Sequence, residues 1–251
     1  MSKRIVCLIL ALILFVGLIP AGAITANAAS NRSVSENAVK FIKDWEGLAK
    51  TPYADGMENG VQRYSYGYGT KAPNAEAIIT EAQADAALRA ELKEIDKKVN
   101  NFAAAHNKNF TQSQHDALVS FSYNVGWGWM SQLNYRITKA VINGAKGNDF
   151  LQAMCLWSNV DSLPVAGLVQ RRMAEADMYL NGSYTKSARA SFTYVKFDAN
   201  GGVLGEDKVQ AYDYNSPVTI TAVPTLEKHT FLGWYLTTGT DASWVGVLNK
   251  A

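Results

Sequence analysis

Two residue types are nearly missing from this chain: its 251 residues include 2 cysteines and 3 histidines. Cys7 lies in an apolar N-terminal run that lacks the small-residue box of a lipoprotein. Once that run is removed Cys155 stands alone, so no intramolecular disulfide can form. Met154, Leu156 and Trp157 neighbour Cys155, the setting of a buried thiol and not of a nucleophile. His106, His115 and His229 are scattered and show no metal-ligand spacing. The expectation is a protein with no metal and no cofactor. An excess of charge is missing too. Of 24 Lys and Arg against 22 Asp and Glu, Lys3 and Arg4 sit before the apolar run, so the remainder is neutral. Neutrality gives no long-range pull toward nucleic acid or anionic lipid.

Membrane-length apolar runs are also lacking. The longest, Ile5 to Ile19, covers 15 residues, short of the roughly 20 that a spanning helix needs. With Lys3 and Arg4 before it and Ala26-Asn27-Ala28 after it, residues 1–28 read as a signal peptide cleaved after Ala28. The expected product is a secreted monomer without stable membrane insertion. An uncleaved signal-anchor is the rival reading.

What is present is a 48% hydrophobic chain able to bury a core. Residues 33–182 read as mainly helical. Ser33 and Glu36 have capping-box spacing before Ala38, Phe41, Ile42 and Trp45, and Gly47 marks a stop. Thr80 with Gln83 and Thr111 with Gln114 open two further helices. The first carries the stripe Leu88, Leu92, Ile95, Val99 and Phe102; the second ends at Gly126. Shorter helices are expected at about 131–143 and 149–157, and a last one from about Ala166 to Gly182. Between residues 51 and 70, glycines interrupt short tyrosine-rich stretches, the pattern of a small antiparallel hairpin. Residues 183–191 read as a linker. Residues 192–251 read as a small β-rich module, with strands around Val195–Phe197, Val218–Thr221 and Phe231–Tyr235 and a turn at Asn200-Gly201-Gly202. The fold class is α+β.

One segment can carry chemistry. Glu46 closes a helix beside Trp45, Asp55 follows nine residues later in a polar loop, and the Ser65 hydroxyl precedes Gly67-Tyr68-Gly69-Thr70. Two carboxyls in unlike surroundings suit glycosidic cleavage. One stays protonated against apolar groups as the acid, and the other stays ionised to help water attack. A solvated helix-end Glu and an ordinary Asp-Gly turn are the alternatives from spacing alone.

The segment from Phe41 through Glu46-Gly47-Leu48, Tyr53 and Asp55 to Gly67-Tyr68-Gly69 resembles the active-site segment of phage-type lysozymes, glycoside hydrolase family 24. Thr111-Gln112 through Asn124-Val125-Gly126 resembles the family's central helix, and Gly167-Leu168-Val169 through Arg171-Arg172, Glu175-Ala176 its closing helix. The resemblance implies a lysozyme-like fold, peptidoglycan as substrate and an inverting mechanism. It implies Glu46 as general acid, with Asp55 and Ser65 positioning water. Asn124 would line the cleft, and Arg171, in preference to Arg172, would pair with Glu46. The chain departs from the family at Ser65, where Thr is usual, at Thr70, where His is common, and in a longer loop that makes Glu58 a second candidate carboxylate. Trp127 and Trp129 either stack on sugar rings or pack on the core. A lytic transglycosylase using Glu46 alone and an inactive wall-binding protein are the rivals.

In the C-terminal module, Phe197-Asp198 with Asn200-Gly201-Gly202, and Phe231 with Gly233-Trp234-Tyr235, resemble the Listeria–Bacteroides repeat of surface proteins. A small β-grasp-like unit with a cell-surface partner is implied; Trp234 and Tyr235 are expected in its core, with a ligand platform as the alternative.

Overall fold

The computed structural model describes residues 31–234 apart from 161–162, 189–190, 206–207 and 218. The expected signal peptide lies outside the described residues, as do Val218 and the module from Tyr235 onward. Helix α1 (Glu36–Glu46) starts at Ser35, whose hydroxyl accepts the Ala38 N–H at 3.3 Å. The expected box of Ser33 with Glu36 is therefore not formed. Ser35 is drawn into the cap by Asp116, which accepts its N–H at 3.0 Å and its hydroxyl at 2.5 Å, while Glu36 turns outward to Arg89. Asp116 is fully buried and also accepts the Tyr184 hydroxyl at 2.7 Å, so one carboxylate ties the chain's two ends of the helical domain together.

Strands β1 (Ala49–Glu58), β2 (Val61–Gly67) and β3 (Thr70–Lys71) form an antiparallel sheet in that order. Helix α2 (Glu81–Ala105) and helix α3 (Gln112–Val125) begin with complete capping boxes at Thr80 and Thr111, as their sequences predict. The Leu88 to Phe102 stripe is buried. Past α3, a 3₁₀ turn over Gly128–Ser131 sinks Trp129 to 1% exposure between Phe102 and Phe121, where its Nε1–H donates to Ser122 Oγ at 3.1 Å. Trp129 is thus a core residue, not a sugar platform. Helices α4 (Arg136–Asn143) and α5 (Gly147–Cys155) follow, then the short strands β4 (Asn159–Val160) and β5 (Leu163–Pro164). Helix α6 (Ala166–Asn181) packs along both α3 and α5. Cys155 is wholly buried, and burial pushes its thiol up to about 12, consistent with an inert role. Among the described residues no helix is long and apolar enough to cross a membrane.

The C-terminal segment departs from its sequence pattern. Strand β6 (Phe192–Lys196) pairs antiparallel with β7 (Val209–Asp213), a strand the sequence reading missed. Residues 219–221 and 231–234 are not in strands. Asn200-Gly201-Gly202 does form a turn, but it leads to Val203, which bridges to Thr225 and not to β7. Phe192, Tyr194, Val209 and Ala211 join the core of the helical domain. A second, smaller cluster holds Val195, Phe197 and Leu204, with Trp234 packed against it. Gln152 on α5 acts as an added strand segment. Its amide donates to the Val209 carbonyl at 2.6 Å and accepts the Ala211 N–H at 2.9 Å. Gln152→Ala leaves both backbone groups buried without partners, an expected loss of about 2 kcal/mol. Thermal unfolding of the full chain checks this; an unchanged melting temperature would mean the hairpin does not dock on α5.

Candidate active site

Glu46 is the last residue of α1, because Gly47 follows with φ +70° and ends the helix. That placement projects its carboxyl away from the core stripe of α1 and into a cleft of about 450 Å³ between the sheet and helices α2 and α3. Its side chain is 19% exposed, against 40% for Asp55. The two carboxyls therefore differ in exposure, and each has an arginine beside it, Arg171 at Glu46 and Arg63 at Asp55.

Behind Glu46 runs a buried chain of charges. Arg171 Nη1 donates to Glu46 Oε1 at 2.6 Å, and Arg171 Nε donates to Glu175 Oε1 at 3.2 Å. Ser120 Oγ donates to the same Glu175 oxygen at 2.8 Å. Arg172 is the residue that does not reach the cleft. It lies under the Phe121 ring, its carbon 5.0 Å from the centroid, with Nε 2.8 Å from Glu175 Oε2 in an ion contact not aligned as a hydrogen bond. Of the two adjacent arginines, Arg171 pairs with Glu46, and Glu175, quoted in the sequence only as part of a motif, is the anion between them.

On the facing wall, Asp55 lies within β1 and not in a loop. The β1–β2 register shifts between Ala54 and Met57, so the chain bulges at Asp55-Gly56. Tyr53 pairs across with Ser65, and Ser65 Oγ donates to Asp55 Oδ2 at 2.6 Å. Arg63 clamps the same residue, donating to Asp55 Oδ2 at 3.0 Å and to its carbonyl at 2.9 Å. Sequence reading missed Arg63, because alternation along β2 gives no sign that a bulge in β1 brings the two together. Glu58, the second candidate, is exposed and bound to Lys71 at 2.9 Å, whose hydrogen bond holds its carboxyl below the usual range.

The G-x-G turn brings the walls together. Gly69 has φ +93°, and a Cβ there would lie 3.5 Å from Glu46 Oε2 and 3.6 Å from the Tyr123 hydroxyl. A Cβ would meet both at ordinary van der Waals contact, and it is the positive φ that calls for glycine here. Thr70 is buried and its hydroxyl donates to the Tyr66 carbonyl at 3.4 Å. Tyr123 donates to the Tyr68 carbonyl at 2.6 Å; burial, then the carboxylates Glu91 and Glu46, push its hydroxyl well above its ordinary value and keep it a donor. Asn124 lines the cleft beside it. Trp127 is 45% exposed but is not among the cleft-lining residues. Among the described residues no three His, Cys, Asp or Glu side chains gather as a metal site requires.

The phage lysozyme family model matches residues 43–175, over half of the chain, and the chain belongs to that family. The Listeria-Bacteroides repeat domain matches residues 194–246. The chain is 29% identical over 158 residues to the endolysin of Bacillus phage B103, covering 62% of this chain and 57% of that one. It is also 29% identical over 149 residues to the endolysin of Acyrthosiphon pisum secondary endosymbiont phage 1, covering 58% and 97%. The chain thus spans less than two thirds of the first of these relatives. Among solved structures, the muramidase domain of SpmX from Asticaccaulis excentricus superposes with a TM-score of 0.52 at 31% identity, over 60% of this chain and 99% of that one.

Proposed function

We propose that this chain is an exported muramidase that hydrolyses the β-1,4 bond between N-acetylmuramic acid and N-acetylglucosamine in bacterial peptidoglycan. The observation that carries this reading is the Ser65–Asp55 hydrogen bond in the same cleft as the more buried Glu46. A lone acid needs no such pair. Family membership and the match to a muramidase domain support it independently.

In the mechanism, Glu46 gives its proton to the glycosidic oxygen as the bond to the anomeric carbon breaks. Ser65 keeps its proton and directs it in a hydrogen bond to Asp55 Oδ2, which leaves its oxygen lone pairs to accept a hydrogen bond from a water. Asp55 Oδ1 carries no bond to Arg63 or Ser65, so it is placed to take the proton that the water loses as it attacks the opposite face of the sugar. Arg63 holds Asp55 in place for that transfer. A water shuttle then returns the proton to Glu46. Asn124 and Arg171 are assigned to substrate positioning and to orienting Glu46. No metal or cofactor enters. The signal peptide read from residues 1–28 supplies export, and the C-terminal repeat is assigned to wall or surface retention.

Attack from the opposite face inverts the anomeric centre. Proton NMR of the first-formed reducing ends is expected to show the α anomer. A β anomer formed first would replace the water-positioning role of Asp55 with a covalent one.

A further inference from the structure

The cleft charges do not balance. Asp55 is held by Arg63, Glu58 by Lys71 and Glu46 by Arg171. Glu91 on α2 lines the same cleft, and among the described residues it has no hydrogen bond and no ion pair. Among the described residues no cation forms an ion pair with it. The cation of β2, Arg63, and that of β3, Lys71, are both engaged; Arg171 reaches in from α6 only to Glu46, and α3 offers the neutral Tyr123 and Asn124. Along α2, Arg89 is taken by Glu36 and Asp85 and Lys97 by Glu94, Lys98 lies over the Trp127 ring, and neither Lys93 nor Lys98 forms an ion pair with Glu91. Glu91 is half-buried, and burial, with a smaller contribution from the Glu46 charge, raises its carboxyl above the usual range. A partly desolvated carboxylate without a partner becomes costlier when a ligand covers it, unless the ligand brings a donor or a positive charge.

We propose that Glu91 is a specificity-determining residue that receives a free ammonium on the glycan, so that the cleft favours peptidoglycan whose amino sugars are partly de-N-acetylated. The inference rests on the muramidase reading, which places the sugars flanking the scissile bond in this cleft. An ammonium supplies the cation that Glu91 lacks, as a charge-assisted hydrogen bond. A fully acetylated strand offers only a neutral amide N–H in its place.

The sign of the pH dependence follows. Below the raised value Glu91 is protonated and neutral, and the acetylated strand is covered without a charge penalty. As pH rises through that value, KM for the acetylated strand rises and KM for the deacetylated strand falls. Glu91→Gln keeps the shape and removes the charge, so both trends flatten.

The test uses the full chain and one peptidoglycan preparation in two forms, chemically de-N-acetylated and the same material re-N-acetylated with acetic anhydride. The ratio of kcat/KM, deacetylated over acetylated, is expected to favour the deacetylated form in the wild type near neutral pH. In Glu91→Gln it is expected to fall about tenfold, the scale of one hydrogen bond to a charged group. Glu91→Asp, which keeps the charge, should retain the preference and guards against a variant that fails to fold. An equal ratio in wild type and Glu91→Gln, with both folded and active, overturns the proposal and leaves the muramidase reading intact. A folded wild type that cleaves neither form removes the muramidase reading, and this proposal with it.

Discussion

Glu46→Gln is expected to lose about two to four orders of magnitude in peptidoglycan turnover while keeping a cooperative melting transition. Glutamine matches glutamate in shape, and its amide oxygen can still accept the Arg171 Nη1–H that now reaches Glu46 at 2.6 Å. The space beside Gly69 stays open to it. What it cannot do is release a proton to a leaving sugar oxygen, so the loss falls on kcat. Arg171 retains Glu175 as a counter-ion, so the substitution leaves no cation in the buried chain of charges without an anion. Turnover is read from soluble muropeptides released from purified peptidoglycan, and folding from the melting curve of the same sample. A variant within tenfold of the wild type would remove Glu46 from the role of acid.

Glu175→Gln is expected to cost about 3–5 kcal/mol of folding free energy, the largest stability effect of any single change proposed for this chain. Glu175 is fully buried between two arginines that are themselves buried. Removing its charge leaves Arg172 as a cation whose Nη1 and Nη2 have no hydrogen-bond partner among the described residues and whose only other support is the Phe121 ring. Burial already pulls the Arg172 guanidinium below its ordinary range, the sign of a charge under strain from desolvation. Arg171 would also lose its second anchor, so Glu46 would be less firmly placed. A fall in melting temperature of about 10 °C follows for a domain of this size. A shift of under about 2 °C would show that the ion chain is not what holds α6 to the site.

How much of this was legible depends on distance along the chain. The capping boxes at Thr80 and Thr111 and the buried stripe of α2 were readable because each is decided within a few residues. Ser33 misled, since two serines precede α1 and Asp116, far along the chain, selects Ser35. Strand β7 was missed for a related reason. Val209–Asp213 has little β signal of its own, and part of its pairing comes from the side chain of Gln152. His115 was set aside as one of three scattered histidines, yet it is buried against Asp96, Nε2 to Oδ1 at 2.8 Å, and Asp96 in turn accepts the Val34 N–H.

At the site, the resemblance located Glu46, Asp55, Ser65, Asn124 and Arg171, and the fold brings all five to one cleft or its wall. Arg63 and Glu91 had no motif to mark them. One depends on a bulge in the opposite strand, and the other occupies the polar side of a helix whose apolar stripe drew attention elsewhere. The segment after Asp55 that reads in the sequence as a longer loop is instead the end of β1 and a turn at Asn59-Gly60, and Glu58 there is tied to Lys71.

The most direct measurement is mass spectrometry of the products formed when the intact chain digests purified peptidoglycan. The account predicts fragments ending in reducing N-acetylmuramic acid, each carrying one water at the cleaved bond. Fragments ending in 1,6-anhydro-N-acetylmuramic acid would contradict it and mark a transglycosylase, and no fragments from the folded protein would leave a lysozyme fold that binds the wall without cutting it.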